Sequence, residues 1–134
     1  MTPKLAAIAV VICGDQVLLA QRKNEPDAGL WGFPGGHVEY GETALDAAAR
    51  ELREETAVIA TPARYLTNLD IITHDASGAI EHHFLLAVVL CTYQSGTPNA
   101  CDDVSDVKWF HIEDVAALKT SADVIETINL AKSV

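Results

Sequence analysis

Residues 36–58 read GHVEYGETALDAAARELREETAV. Thr43 is a good helix-capping residue, and the run after it predicts a helix to about Thr56. On that helix Glu51 lies three and four positions from Glu54 and Glu55, so the three carboxylates are neighbours on one face. Like charges placed side by side destabilise a helix unless a cation sits among them. Carboxylate oxygens with no interleaved cysteine or histidine suit a hard divalent ion, Mg²⁺ or Mn²⁺. Another acidic residue, Glu42, sits just before the helix, and Pro34-Gly35-Gly36 reads as a glycine-rich turn ahead of it. The stretch points to metal-assisted chemistry on a phosphate-bearing substrate.

The same periodicity assigns the other faces. Leu45, Ala48, Ala49 and Leu52 form one stripe that should face a core, and the small alanines allow close approach to a sheet. The three carboxylates lie on an adjoining arc, and Arg50 and Arg53 are expected to point elsewhere.

Working outward, residues 5–12 are apolar and β-branched and predict a buried strand ending at a Gly14-Asp15 turn. Residues 16–22 follow as its hairpin partner. Residues 23–30, with Pro26, Asp27 and Gly29, read as a loop. Residues 31–34 lead into the glycine-rich turn, and residues 37–39 form a short extended piece. Residues 65–73 and 80–93 read as strands joined at Asp75-Ala76-Ser77-Gly78, and residues 94–106 as a polar loop. A strand over 107–112, a helical turn over 114–118 and a helix over 122–132 complete the chain. This order predicts a mixed sheet covered by helices on both faces, an α/β/α sandwich, in a single domain over residues 1–134.

A hydrophobic fraction of 49% describes a globular chain, and the net charge of −10 argues against holding a nucleic-acid backbone. The N-terminal apolar run reads as a strand and not as a signal peptide, and the run from Phe84 to Cys91 is too short to span a bilayer. Three cysteines without metal-like spacing imply no disulfide framework, so a reducing cytoplasm is the expected location. Cys13 and Cys91 read as core residues, and Cys101 as a loop thiol.

Residues 36–58 resemble the Nudix box, G-x5-E-x7-R-E-U-x-E-E-x-G-U with U aliphatic, which marks the Nudix hydrolases. Gly36, Glu42, Arg50, Glu51, Leu52, Glu54, Glu55 and Val58 fill its fixed positions, and only the final glycine departs, being Ala57 here. That glycine commonly ends the helix in a left-handed conformation, which costs alanine about 1 kcal/mol, so a slightly altered helix exit is expected. The resemblance implies the Nudix fold and hydrolysis of a nucleoside diphosphate linked to another group, with Mg²⁺ or Mn²⁺ as cofactor. It makes Glu51, Glu54 and Glu55 metal ligands together with the Gly36 carbonyl, with Glu42 and Arg50 supporting the loop–helix geometry through a charge-assisted pair.

The base is not assigned by the box; a box glutamate such as Glu54 or an acidic residue from a distant loop can serve, and Asp103 is the loop candidate. A polar turn is the competing reading of Asp102-Asp103. His82 and His83 face opposite sides of their strand, so one of them, or His37, could reach a substrate; a plain polar strand face is the alternative. Trp31 and Phe33 read as core packing ahead of base stacking, and Arg22 and Lys23 as a surface pair that could meet a phosphate. The segment VLLAQRKNEPDAGLWGFPGGHVEYGE, with EHHFLLAVVL and DDVSDVKWF, resembles small bacterial ADP-ribose pyrophosphatases. ADP-ribose, cleaved to AMP and ribose 5-phosphate, is the implied substrate. A MutT-like triphosphate pyrophosphohydrolase is the leading alternative, and a non-catalytic nucleotide-binding module a third. The expected partner is a nucleotide-derived small molecule, with a homodimer left open and neither a nucleic-acid polymer nor a membrane expected.

Overall fold

The computed structural model describes residues 1–25 and 27–134; of the expected loop over residues 23–30, Pro26 lies outside them. Its elements in order are β1 (Lys4–Cys13), β2 (Gln16–Arg22), β3 (Trp31–Gly32), β4 (Gly35–His37), α1 (Ala44–Thr56), β5 (Ile59–His74), β6 (Ile80–Ser95), β7 (Val104–His111), a 3-10 helix (Ile112–Ala117) and α2 (Val124–Lys132). The sheet runs β3-β2-β1-β6-β5, with β7 on β2 and β4 on β1; β1 and β6 are parallel, and the other pairings antiparallel.

One edge of β1 is divided between two partners. Its end pairs with β2 at Ile12 and Cys13, whereas Ala6, Ala7 and Ile8 pair with β4. The expected glycine turn at 35–36 is therefore a strand. Its glycines are required by close approach: a Cβ on Gly35 would lie 2.8 Å from the Ile8 Cα and closer still to the Ala7 carbonyl oxygen. The turn reading missed this because proximity to β1 leaves no local signature.

Strand alternation builds the two faces. Ala7, Ala9 and Val11 of β1 and Leu18 and Ala20 of β2 pack with Ala47, Ala48 and Leu52 of α1. The intervening residues face the other way: Val17 and Leu19 meet Val115, Val124 and Ile128, and Val10 meets Val88 and Ala131. Helices thus cover both faces of a mixed sheet, as the element order predicts. On α1 the buried stripe includes Ala47 and Thr56, while Leu45 and Ala49 are half-buried.

Several boundaries move. β5 begins at Ile59 and β6 extends to Ser95, because the two pair along nearly their whole length through bulges that absorb Pro62. β7 starts at Val104, three residues early, and its partner β2 carries it. The 3-10 helix starts at Ile112 and α2 at Val124. Cys91 is buried as expected, but Cys13 is exposed, since it ends β1 at the hairpin corner. The 75–78 turn forms as read, with Asp75 Oδ1 accepting from the backbone of Ser77 and Ala79.

Thr43 caps α1 by accepting from the Asp46 N–H at 3.0 Å. At the other end Ala57 is left-handed, φ 64°, with its N–H donating to the Arg53 carbonyl at 2.9 Å. Ala57 therefore occupies the conformation that glycine normally fills. Ala57→Gly should raise stability by about 1 kcal/mol, or about 3–5 °C in Tm, with turnover near that of the parent. Thermal melts check this; an unchanged or lower Tm would remove the strain assignment.

Candidate active site

The box residues gather where α1 lies over β4, and one side chain organises them. The Arg50 Nε donates to Glu42 Oε2 at 2.7 Å and its Nη2 to Glu42 Oε1 at 3.0 Å, a bidentate pair. Nη2 also donates to the His37 carbonyl at 3.0 Å. Nη1 reaches the other way, to Glu51 at 2.8 Å and Glu54 at 3.1 Å, with Glu39 farther off at 3.9 Å. The expected Arg50–Glu42 pair is thus present with Glu51 beside it, and the reach of Nη1 to Glu54 is an addition to it. Arg53 is exposed, as expected. These bonds hold Glu42 below the usual carboxylate range and push the arginine's own proton affinity up, chiefly through the Glu42 pair.

Gly36 and Glu51 are in direct apposition. A Cβ on Gly36 would come within 2.5 Å of the Glu51 Cδ, so a larger residue there would have to displace that carboxylate from over β4. Glu55 turns toward the same strand and accepts from the Gly35 N–H at 3.0 Å. Burial pushes its carboxyl up to about 7; the Gly35 hydrogen bond and Arg22 pull it down, and the negative charges of Glu51 and Asp103 push it up. Glu54 is the most exposed of the three.

Asp103 arrives from the far end of the chain. The loop before β7 is tied to the end of α1 by Asn99 N–H to the Thr56 carbonyl and Cys101 N–H to the Glu55 carbonyl, both 2.9 Å. Lys23 closes it from the other side, its N–H donating to the Asp103 carbonyl at 3.0 Å and its Nζ to the Asp102 carbonyl at 3.1 Å. Asp103 accordingly stands within electrostatic reach of Glu55, and Lys23 serves as a loop anchor.

The histidines divide as the alternation requires. His82 stacks near Phe84, ring centroids 6.2 Å apart, and His37 sits 5.7 Å from Phe84, on the sheet face away from α1. His83 points to the other face. Phe84 is the residue sequence reading passed over; hidden in an apolar run, it shares a face with His82 through period-two spacing. Trp31 and Phe33 pack in the core beside Phe110 and Ile12, as expected.

Oxygen donors alone, with a carboxyl that burial and like charge leave poorly compensated, fit a hard divalent cation. Yet among the described residues no three His, Cys, Asp or Glu side chains already converge as around an ion. Two of the three box carboxylates, Glu51 and Glu54, are instead held by the Arg50 Nη1.

The NUDIX domain family model matches residues 3–129. The chain belongs to the NUDIX family. It is 30% identical over 116 residues to the ADP-ribose pyrophosphatase of Methanocaldococcus jannaschii, covering 87% of this chain and 66% of that protein, just under two thirds of its length. Among solved structures, the MutT NUDIX hydrolase of Burkholderia pseudomallei superposes with a TM-score of 0.81 at 28% identity over 98% of both chains. The NUDIX domain of Shewanella oneidensis NrtR, complexed with ADP ribose, gives 0.80 at 28% identity over 99% of this chain and 88% of that one. The fold is therefore the Nudix α/β/α arrangement. No helix among the described residues is long and apolar enough to cross a membrane.

With its carboxyl near 7, Glu55 of this NUDIX chain keeps its proton below about that pH in the metal-free protein. A metal held by Glu55 would have to displace that proton, so its affinity would fall toward acid, by up to about tenfold between pH 8 and pH 6. Calorimetry with Mn²⁺ in two buffers of different ionisation enthalpy measures both affinity and proton release. A flat affinity across that interval would take Glu55 out of the ligand set.

Proposed function

We propose that this chain is a divalent-metal-dependent pyrophosphohydrolase acting on a nucleoside diphosphate linked to another group, with ADP-ribose as its substrate. The observation that carries this reading is Glu51 held against Gly36 and Glu55 against Gly35 on the strand beneath α1, in a chain of the NUDIX family. The ADP-ribose choice draws support from the archaeal pyrophosphatase and from the ADP-ribose-complexed NUDIX domain. A MutT-like triphosphate pyrophosphohydrolase is the second reading, favoured by the overlap with the Burkholderia protein over 98% of both chains.

In the proposed reaction water attacks one phosphorus of the pyrophosphate, the bridging P–O bond breaks, and AMP and ribose 5-phosphate leave. Mg²⁺ or Mn²⁺, when bound, offsets charge on the phosphoryl oxygens and lowers the pKa of water. Glu51, Glu54 and Glu55, with the Gly36 carbonyl, would hold it. Glu42 fixes Arg50, and Arg50 in turn fixes Glu51. Asp103, delivered beside Glu55 by the 99–103 loop, or the exposed Glu54 takes the proton from water. Phe84 and His82 of β6 cluster with His37, the residue after Gly36 on β4, on the sheet face away from α1, and this aromatic surface offers a face for a nucleobase.

Two outcomes are expected at the bench. With Mg²⁺, ADP-ribose should be turned over selectively from a panel that includes NADH, dinucleoside polyphosphates and normal and oxidised nucleoside triphosphates, as read by product chromatography. Preferential attack on triphosphates would transfer the assignment to the MutT-like reading. Glu54→Gln should cut kcat by about 10²-fold or more while the melting curve stays cooperative; retained turnover would remove Glu54 from the site.

A further inference from the structure

Arg50 is used from two sides at once. Its Nε and Nη2 are held by Glu42 and the His37 carbonyl, all on the segment that leads into α1. Its Nη1 alone bridges Glu51 and Glu54 on the helix. Both are residues that the metal reading above requires, and among the described residues no three His, Cys, Asp or Glu side chains are gathered as around an ion. Three neighbouring glutamates on one helix face need a positive charge among them, and here the protein's own guanidinium supplies it.

Building on that metal reading, we propose that Arg50 is an internal stand-in for the divalent ion, and that metal binding is a cation exchange. In the metal-free protein Nη1 occupies the oxygens of Glu51 and Glu54. When the ion arrives Nη1 gives them up, while the Glu42 and His37 anchors keep the side chain in place. The arrangement keeps the carboxylates gathered without metal, and it sets metal affinity by competition. A guanidinium suits this because its fork offers separate N–H edges to separate partners, which a lysine ammonium on a flexible stem cannot do.

The exchange makes a prediction opposite in sign to a purely supporting role. If Arg50 only orients the ligands, Arg50→Gln must bind metal more weakly. If it competes for them, Arg50→Gln should bind Mn²⁺ about tenfold more tightly by calorimetry, since a charge-assisted hydrogen bond no longer has to be broken. The metal-free variant should also melt lower than the parent and recover more Tm on adding Mn²⁺. Equal or weaker binding overturns the exchange.

A second measurement uses the unaltered protein. In ¹⁵N-detected arginine spectra, Mg²⁺ should shift the Arg50 Nη signals and leave Nε nearly unmoved. Mg²⁺ bound with the Nη signals unchanged would overturn the exchange and leave the metal-dependent hydrolase reading standing. No Mg²⁺ binding at all would overturn both.

Discussion

The site depends on one guanidinium placed among carboxylates. Glu42 receives two hydrogen bonds from Arg50, at 2.7 and 3.0 Å, and the remaining N–H edge gathers Glu51 and Glu54. Without that cation α1 would carry adjacent uncompensated charges, a destabilising arrangement on any helix. Exposed ion pairs contribute little, but this one is a network with bidentate geometry, and the Arg50, Glu42 and Glu51 side chains are each less than one-fifth exposed. The network also connects elements. Through the His37 carbonyl it fastens the helix to β4, and thus to β1 and the centre of the sheet.

Close approach is the second constraint. Small residues let layers meet where the chemistry is to happen: Ala7 and Ala9 below, Ala47 and Ala48 above, Gly35 and Gly36 between. The apposition of Gly36 and Glu51 leaves the carboxylate over a bare backbone, with a carbonyl oxygen as the only further donor of that residue. The loop before β7 then sets Asp103 beside Glu55, held by two hydrogen bonds to the last turn of α1 and two from Lys23. Residues nearly fifty positions apart thereby share one electrostatic environment, in which burial first, and then the charges of Glu51 and Asp103, raise the Glu55 carboxyl.

Much of this was legible in the chain. The helix, its Thr43 cap and the two-faced sheet follow from local periodicity and capping chemistry, which act within a few residues, whereas the altered helix exit expected at Ala57 does not occur, Ala57 itself taking the left-handed conformation. The misread parts depend on distant partners. Gly35–His37 became a strand because β1 was there to pair with it. Arg50 keeps its expected pair with Glu42 and, beyond that reading, also reaches Glu54, because the carboxylates converge on it. Cys13 was exposed because β1 ends at a corner, a matter of hairpin placement and not of composition. Phe84 was concealed by an apolar neighbourhood, although its spacing from His82 held the clue.

The central claim, that the carboxylate face of α1 beside Gly36 is a divalent-metal site organised by Arg50, is tested most directly by anomalous diffraction from crystals soaked in Mn²⁺. The account predicts a peak within coordination distance of Glu51 and Glu54, with Arg50 still paired to Glu42. A peak elsewhere, or none on this face while Nη1 continues to bridge the two glutamates, would contradict it.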